Sequence, residues 1–194
     1  ITTHLGHLAD AEALYHQALA LYEHIDAPIK HATCLQHLAT CLAHTPNRTT
    51  DTLKTLDNAL DILTHTNTSE TAPQRLDILF SLTHTHLING DHFLAQVHAR
   101  AALDLSHHPT VSQADAHRAH FTYAAVLQTQ ADTTTSTKHK KDLLTQALNH
   151  ALPAALFDDE YRYHLTSPPQ PRASITNPAQ PTMNQALTLA ADLG

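Results

Sequence analysis

One short pattern occurs twice in the chain and constrains its fold more than any other feature. Its copies are Gly90-Asp91-x-x-x-Ala95-x-x-x-Ala99-x-x-Ala102-Leu103 and Gly6-x-Leu8-x-x-Ala11-x-x-x-Tyr15-x-x-Ala18-Leu19. Both place small or apolar residues three or four positions apart, which defines one face of an α-helix. Weaker copies of the final pair, at Ala59-Leu60 and Ala147-Leu148, extend the series with steps of 41, 43 and 45 residues. A period of this length is typical of a helical solenoid.

Apolar stripes between these Ala-Leu pairs predict a second set of helices. Their members recur every three or four residues within 32–42, 76–87 and 112–130. Capping boxes are predicted to begin at Thr71 and Thr110, and Gly90 and Asp91 suit a left-handed turn followed by a helix cap. Further turns are predicted at 45–50, which contains Pro46, and in the polar tract 132–137. The sequence therefore predicts an all-α fold of helix pairs.

The pattern fades after Ala151. Pro153 is expected to interrupt the helix, and a short helix is predicted over 154–163. Five of the ten prolines lie within 166–181, which predicts an extended linker. The apolar spacing in 182–194 predicts a last helix that either caps the solenoid or docks elsewhere. The predicted organisation is helical repeats over 1–152, a short helix and proline-rich linker over 153–181, and a terminal helix over 182–194.

The residues Gly90, Ala95, Ala99, Ala102 and Leu103, with Leu79 and Leu82 before them, resemble a tetratricopeptide repeat. The stretch from Gly6 to Leu19 is similar to the second half of another, so the first repeat is expected to begin upstream of residue 1. The resemblance covers 1–152 and is to the long-repeat type found in kinesin light chains and in bacterial multidomain transcriptional regulators. It implies a right-handed α-solenoid of antiparallel helix pairs that binds partners on its concave face, and it does not imply an enzyme.

The resemblance also implies which residues line the groove, because the first helix of each pair faces the concave side. The positions carried over by register are Thr33, Gln36, Thr40, Asp77, Phe80, His84, Arg118 and Phe121. This set is polar and aromatic, and only Arg118 in it suits a peptide's terminal carboxylate. The two phenylalanines are expected either to stack on a ligand or to plug the superhelix against a neighbouring segment.

Charge and cysteine content exclude several classes of function. The net charge is −7, and the 11 Lys and Arg form no stripe, which argues against nucleic-acid binding. No apolar run approaches the roughly 18 residues that a membrane span needs. Cys34 and Cys41 lie seven positions apart, too far along a helix to bridge, and this predicts a reduced, cytoplasmic protein.

Histidine is unusually frequent, with 19 copies, and it invites a metal-site interpretation. Cys34, His37, Cys41 and His44 share one stripe, but they span about 15 Å of helical rise, too much for one zinc ion. The favoured interpretation makes both cysteines small core residues and many histidines ordinary surface positions, with a pH-sensitive surface as the alternative. No catalytic or metal motif and no phosphate loop is present, so no enzyme, metal or cofactor is predicted.

The leading prediction is a regulatory binding module of a larger bacterial protein, with a transcriptional or signalling role. Its partner is expected to be a protein, a peptide or a small-molecule effector. Two alternatives remain open at this point. One is a metal-binding sensor or enzyme based on the His and Cys content, and the other is a scaffold that self-associates as a homodimer through its terminal helix.

Overall fold

The computed structural model describes residues 2–22, 24–66, 68–165 and 187–191. These residues form helices and turns with no strand, which confirms the all-α class. A 3-10 helical turn, Ser69–Thr71, precedes the fourth helix, and 187–191 are helical. The α-helices are α1 (Thr2–Tyr22), α2 (Pro28–Ala43), α3 (Thr49–Thr66), α4 (Ala72–Ile88), α5 (His92–Leu105), α6 (Gln113–Thr133) and α7 (Thr137–Leu165). The Ala-Leu pairs lie in α1, α3, α5 and α7, and the predicted stripes lie in α2, α4 and α6.

The chain divides into an amino-terminal unit, residues 1–112, and a carboxy-terminal unit, residues 113–194. In the amino-terminal unit each of the helices α1 to α4 packs on the next along the chain, and α2 also contacts α4. In the carboxy-terminal unit α6 packs on α7.

The core of the amino-terminal unit joins α2, α3 and α4. Leucines there interlock with alanines that lack bulk beyond Cβ, so the helix backbones approach closely. Burying each leucine contributes about 1.5–3 kcal/mol relative to leaving it exposed. The members of this core are Ala32, Leu35, Ala39, Leu56, Ala59, Leu63, Ile78 and Leu82.

The helix α7 continues through Pro153, where the sequence predicts an interruption. Ala151, Ala154 and Ala155 are buried on both sides of this proline, whereas Pro153 itself is exposed. Proline removes the hydrogen bond to the carbonyl of Asn149, and that residue is exposed to water, which can replace the missing donor. Burial of the apolar face therefore outweighs the local cost of proline.

The terminal predictions fall largely outside the described residues. The linker predicted over 166–181 lies outside them, as do 182–186 and 192–194 of the predicted last helix. The part that is described, 187–191, is helical and buries Leu189 completely.

The predicted turn before α5 is confirmed. Gly90 has φ of +77°, the left-handed region that glycine enters without steric cost. Asp91 caps α5, because its Oδ1 accepts a hydrogen bond from the Leu94 amide at 3.1 Å. Between α2 and α3 the predicted turn is also present, with Asn47 at φ of +62°.

Three other boundary predictions are wrong. Thr71 does not cap α4, because the 3-10 turn leaves its hydroxyl donating to the Thr68 carbonyl. The helix predicted to start from a box at Thr110 begins instead at Gln113, since Thr110 bonds to His108 in the preceding turn. Gly6 takes the place of Gly90 in the first copy of the repeated pattern, which predicts a turn there, but it lies inside α1, since glycine in a helix interior costs only about 1 kcal/mol relative to alanine.

Replacing Asp91 tests the cap of α5. Asp91→Ala removes the acceptor for the Leu94 amide and is expected to lower the free energy of unfolding by about 1 kcal/mol. Asp91→Asn keeps a capping oxygen and is expected to lose much less. Urea denaturation measures both. Equal losses in the two variants would mean that the carboxylate charge matters and the cap does not.

Replacing Pro153 tests the helical path of α7. Pro153→Ala restores one backbone donor and is expected to raise the free energy of unfolding by up to about 3 kcal/mol. Pro28→Ala is the matched control, because Pro28 occupies the first turn of α2, where proline is favourable. Thermal unfolding followed by circular dichroism compares them. A Pro153→Ala chain no more stable than the parent would contradict a continuous α7.

Candidate functional site

A cleft of about 350 Å³ lies between α2, α3 and α4 in the amino-terminal unit. Clefts of this size are large enough to enclose a side chain or a small ligand. It is lined by residues from the last turns of α2 and α4 and the first turns of α3. These residues are Ala39, Thr40, Ala43, His44, Thr49, Thr52, Leu56, Ser81, His84, Thr85 and Ile88.

The floor and the rim of the cleft differ in chemistry. The floor consists of the buried residues Ala39, Thr52, Leu56 and Thr85. The rim contains exposed residues at the ends of α2 and α4, namely Thr40, Ala43, His44, His84 and Ile88. Two alanines on α2 leave open space at positions where larger side chains would reach across to α4. The cleft therefore lies between the same three helices as the core, at a level where no large side chain fills the space between them.

An ion-pair network positions the start of α3, which supplies Thr49 and Thr52 to the cleft. Arg48 donates to Asp51 on α3 and, over 3.1 Å, to Glu12 on α1. These hydrogen bonds, first that to Asp51, raise the pKa of Arg48, so the guanidinium stays charged. The arginine is half-buried, and ion pairs near the surface add little to the free energy of folding. Their main effect is to hold the start of α3 in position.

Four of the five hydroxyl groups that line the cleft are already used as donors, and the fifth is that of Thr49. Each of the four donates to the backbone carbonyl four residues earlier in the chain, over 2.8–3.0 Å. A hydroxyl has one proton and two lone pairs, so a group that donates in this way can still accept. The four residues are Thr40, Thr52, Ser81 and Thr85.

His44 adds an acceptor of the same kind. Its Nδ1 lies 2.7 Å from the carbonyl oxygen of Thr40, and a carbonyl can only accept, so Nδ1 carries the proton. In the neutral ring Nε2 is then unprotonated and accepts. Turning any of these four hydroxyls toward an acceptor ligand would break an internal bond that contributes about 0.5–1.5 kcal/mol. The cleft as it stands favours ligands that donate hydrogen bonds.

The structure brings together two of the eight residues predicted to line a groove. Thr40 and His84 lie on facing sides of the cleft. Thr33 and Gln36 lie earlier on α2 and are half-buried, and Asp77 is exposed on α4. These three do not line the cleft.

The predicted aromatic positions lie elsewhere. Phe80 is only 5% exposed, so little of its ring is accessible to a ligand. Arg118 and Phe121 lie on α6 in the carboxy-terminal unit, the arginine exposed and the phenylalanine half-buried.

Several cleft residues were missed by the sequence reasoning. His44 and Ile88 follow Thr40 and His84 by one helical turn, so extending the predicted faces by four residues finds them. The other missed residues, Thr49, Thr52 and Leu56, lie on α3. This is the second helix of a predicted pair, and the resemblance places only the first helix of each pair at the groove. Only the packing of α3 against both neighbours places them there.

Cys34 is a core residue, as predicted, whereas Cys41 is only half-buried. Cys34 is buried, and its thiol donates weakly to the Tyr15 carbonyl at 3.7 Å. Burial raises the pKa of both cysteine thiols, and for Cys41 the nearby Glu12 carboxylate acts in the same direction. A raised pKa keeps the thiol protonated and a poor nucleophile or metal ligand. Among the residues that the structure describes, no group of three or more His, Cys, Asp and Glu is arranged to hold a metal ion.

Histidines pair across helices in both units. In the carboxy-terminal unit Nδ1 of His120 on α6 lies 3.0 Å from Nδ1 of His150 on α7, and Tyr123 meets His150 edge-on. One ring must donate and the other accept, so the two rings cannot both be doubly protonated while this bond is kept.

In the amino-terminal unit the rings of His86 and His98 stack with their centroids 5.2 Å apart. Burial lowers the pKa of His98 from its ordinary 6.5, and the neighbouring His86 acts in the same direction. Asp57 and Asp91 act in the opposite direction but do not outweigh burial. His98 on α5 therefore resists protonation while it remains packed on α4.

The pKa of His98 predicts a pH dependence of stability. Between pH 6.5 and the lowered pKa of the folded state, the unfolded chain binds a proton at His98 while the folded chain does not, so a fall in pH through this range favours the unfolded state. The contribution is present above pH 6.5 and is lost as the pH falls through the lowered folded value. His98→Gln is expected to reduce the acid-induced loss of stability, measured by urea denaturation between about pH 7.5 and about pH 5.

His24→Gln is the control for this experiment, because His24 is exposed in the turn after α1. It is expected to leave the pH dependence unchanged. If His98→Gln and His24→Gln give the same pH profile, the buried ring does not couple folding to protonation.

Among the described helices, none has the length and apolar character needed to cross a bilayer. Comparison with models of known protein families and with curated proteins gives no match for this chain.

Proposed function

We propose that the amino-terminal unit is a binding module that accommodates part of a partner peptide in the cleft between α2, α3 and α4. The observation that carries this proposal is the cleft itself, which combines a buried floor with an exposed rim formed by Thr40, Ala43, His44, His84 and Ile88. Its lining contains no carboxylate, cysteine or lysine, and four of its hydroxyls donate to backbone carbonyls, an arrangement better suited to binding than to nucleophilic chemistry.

We propose further that the helices stack as an α-solenoid of antiparallel pairs, of the tetratricopeptide type that the sequence resembles. Two features of the amino-terminal unit support this arrangement. Each helix from α1 to α4 packs on its successor, and α2 contacts α4, as the first helices of adjacent repeats would. In such a solenoid the faces of α2 and α4 that meet at the cleft would lie on the concave side.

The resemblance alone supports the wider role, a sensor or interaction region within a larger bacterial regulator. If the helices adopt both an open and a closed arrangement of the cleft, ligand binding would favour the open one. The shift in population is limited by the difference in ligand affinity between these two arrangements.

Blocking the cleft tests the proposal. Ala43 is exposed on its rim, so Ala43→Trp should fill the opening without disturbing the core. Short peptides displayed on phage and selected on the immobilised 194-residue chain are expected to lose at least about tenfold in affinity for this variant, the scale of a displaced anchor residue. Surface plasmon resonance with the selected peptides measures the loss.

Ala101→Trp is the matched control, because Ala101 is equally an exposed helical alanine but lies on α5, away from the cleft. It should leave binding unchanged. Selected peptides that bind both tryptophan variants as tightly as the parent, or the absence of any selected peptide, would overturn the assignment of this cleft.

A further inference from the structure

We propose that the cleft, if it binds a peptide as set out above, selects a lysine side chain. The selecting feature is the donor and acceptor state of its polar groups. Thr40, Thr52, Ser81 and Thr85 present lone pairs while their protons are held by backbone carbonyls. An ammonium group has three donors and no acceptor, so it complements such a lining without breaking any internal bond.

The backbone adds to this preference through the helix ends. The last turn of α2 and the last turn of α4 both border the cleft, through Ala43 and His44 on one and Thr85 and Ile88 on the other. The carboxy-terminal end of a helix carries a partial negative charge. One amino-terminal end, that of α3 at Thr49, opposes these two. The balance favours a cation over an anion.

The charge of the amino-terminal unit acts in the same sense. Residues 1–112 contain 11 Asp and Glu against 5 Lys and Arg, a difference of −6, out of −7 for the whole chain. Asp77 is exposed one helical turn before Ser81 on α4. A cationic ligand is therefore attracted toward this unit over longer distances, whereas an anionic one is repelled.

The apolar part of the cleft distinguishes lysine from other cations. Ala39, Ala43 and Leu56 offer a surface for an alkyl stem, and the hydroxyls of Thr52 and Thr85 lie in the same cleft to accept from its charged tip. Arginine is less suited, because its planar guanidinium gains most from paired carboxylate or phosphate oxygens, and the lining contains no carboxylate.

Three capped pentapeptides that differ only in their central residue test this inference. One has lysine, one norleucine and one glutamate, with glycine and alanine around it. Titrations of the 194-residue chain, followed by the NMR shifts of the Thr52 and Leu56 amides, are expected to show the lysine peptide binding about tenfold more tightly than the norleucine peptide, the effect of one charge-assisted hydrogen bond. The glutamate peptide should bind most weakly.

Two variants assign the preference to the hydroxyl groups. Thr52→Val and Thr85→Val keep the side-chain shape but remove the accepting oxygen, and each should reduce the preference for lysine over norleucine. Thr83→Val is the matched control, because Thr83 is buried on α4 with the same bond to the carbonyl four residues earlier but does not line the cleft. It should keep the full preference.

The outcomes separate the two proposals. Equal or tighter binding of the norleucine or glutamate peptide overturns the selection of lysine while leaving a peptide-binding cleft. A lysine preference that survives both Thr52→Val and Thr85→Val also overturns it, since general charge attraction would then account for binding. Failure of all three peptides to shift these amides, together with failure to select any displayed peptide, overturns the binding function itself.

Discussion

The close approach of α2, α3 and α4 through alanine faces is the constraint on which the amino-terminal unit depends. Ala32, Ala39 and Ala59 are almost completely buried, and leucines from neighbouring helices fill the space beside them. Such packing tolerates little change in volume, because neither larger nor smaller side chains can be accommodated without strain or a cavity. The candidate site begins where this packing ends, since the alanine face of α2 continues to Ala43 but no leucine fills the opening.

The many threonines give the helices an unusual polar character. Their hydroxyls bond to carbonyls of the preceding turn at buried, half-buried and exposed positions alike, as at Thr83, Thr66 and Thr64. This satisfies a hydroxyl inside a helical interface without a partner from another helix. At the cleft this bonding has a functional consequence, because the hydroxyls of Thr40, Thr52, Ser81 and Thr85 can accept from a ligand without losing an internal bond. Histidines also form pairs where two helices meet, with the rings stacked at His86 and His98 and tilted at His120 and His150.

The sequence predicted helices more reliably than their ends. Apolar spacing identified the buried stripes of α2, α4 and α6, because a helix buries residues of one face whatever its partner. Caps depended on local geometry: Asp91 was predicted correctly, whereas Thr71 was not, since a 3-10 turn formed in front of α4. Pro153 was expected to end a helix, but burial of the alanines around it kept α7 continuous. The local rule failed at Pro153, because burial of the neighbouring alanines stabilises α7 by more than the proline destabilises it.

The residues of the candidate site were also only partly predictable from the sequence. Periodicity and the family resemblance led to Thr40 and His84, because both lie on helix faces that repeat every three or four residues. The sequence by itself determined the all-α class and the helical segments, and it predicted a polar and aromatic set of groove residues. Only the tertiary structure decided that Phe80 is buried, that α3 contributes Thr52 and Leu56, and that the threonine protons are committed to backbone carbonyls. The reason is physical: spacing along one helix defines which residues share its face, but the depth of a cleft and the direction of each hydrogen bond depend on how closely three helices pack.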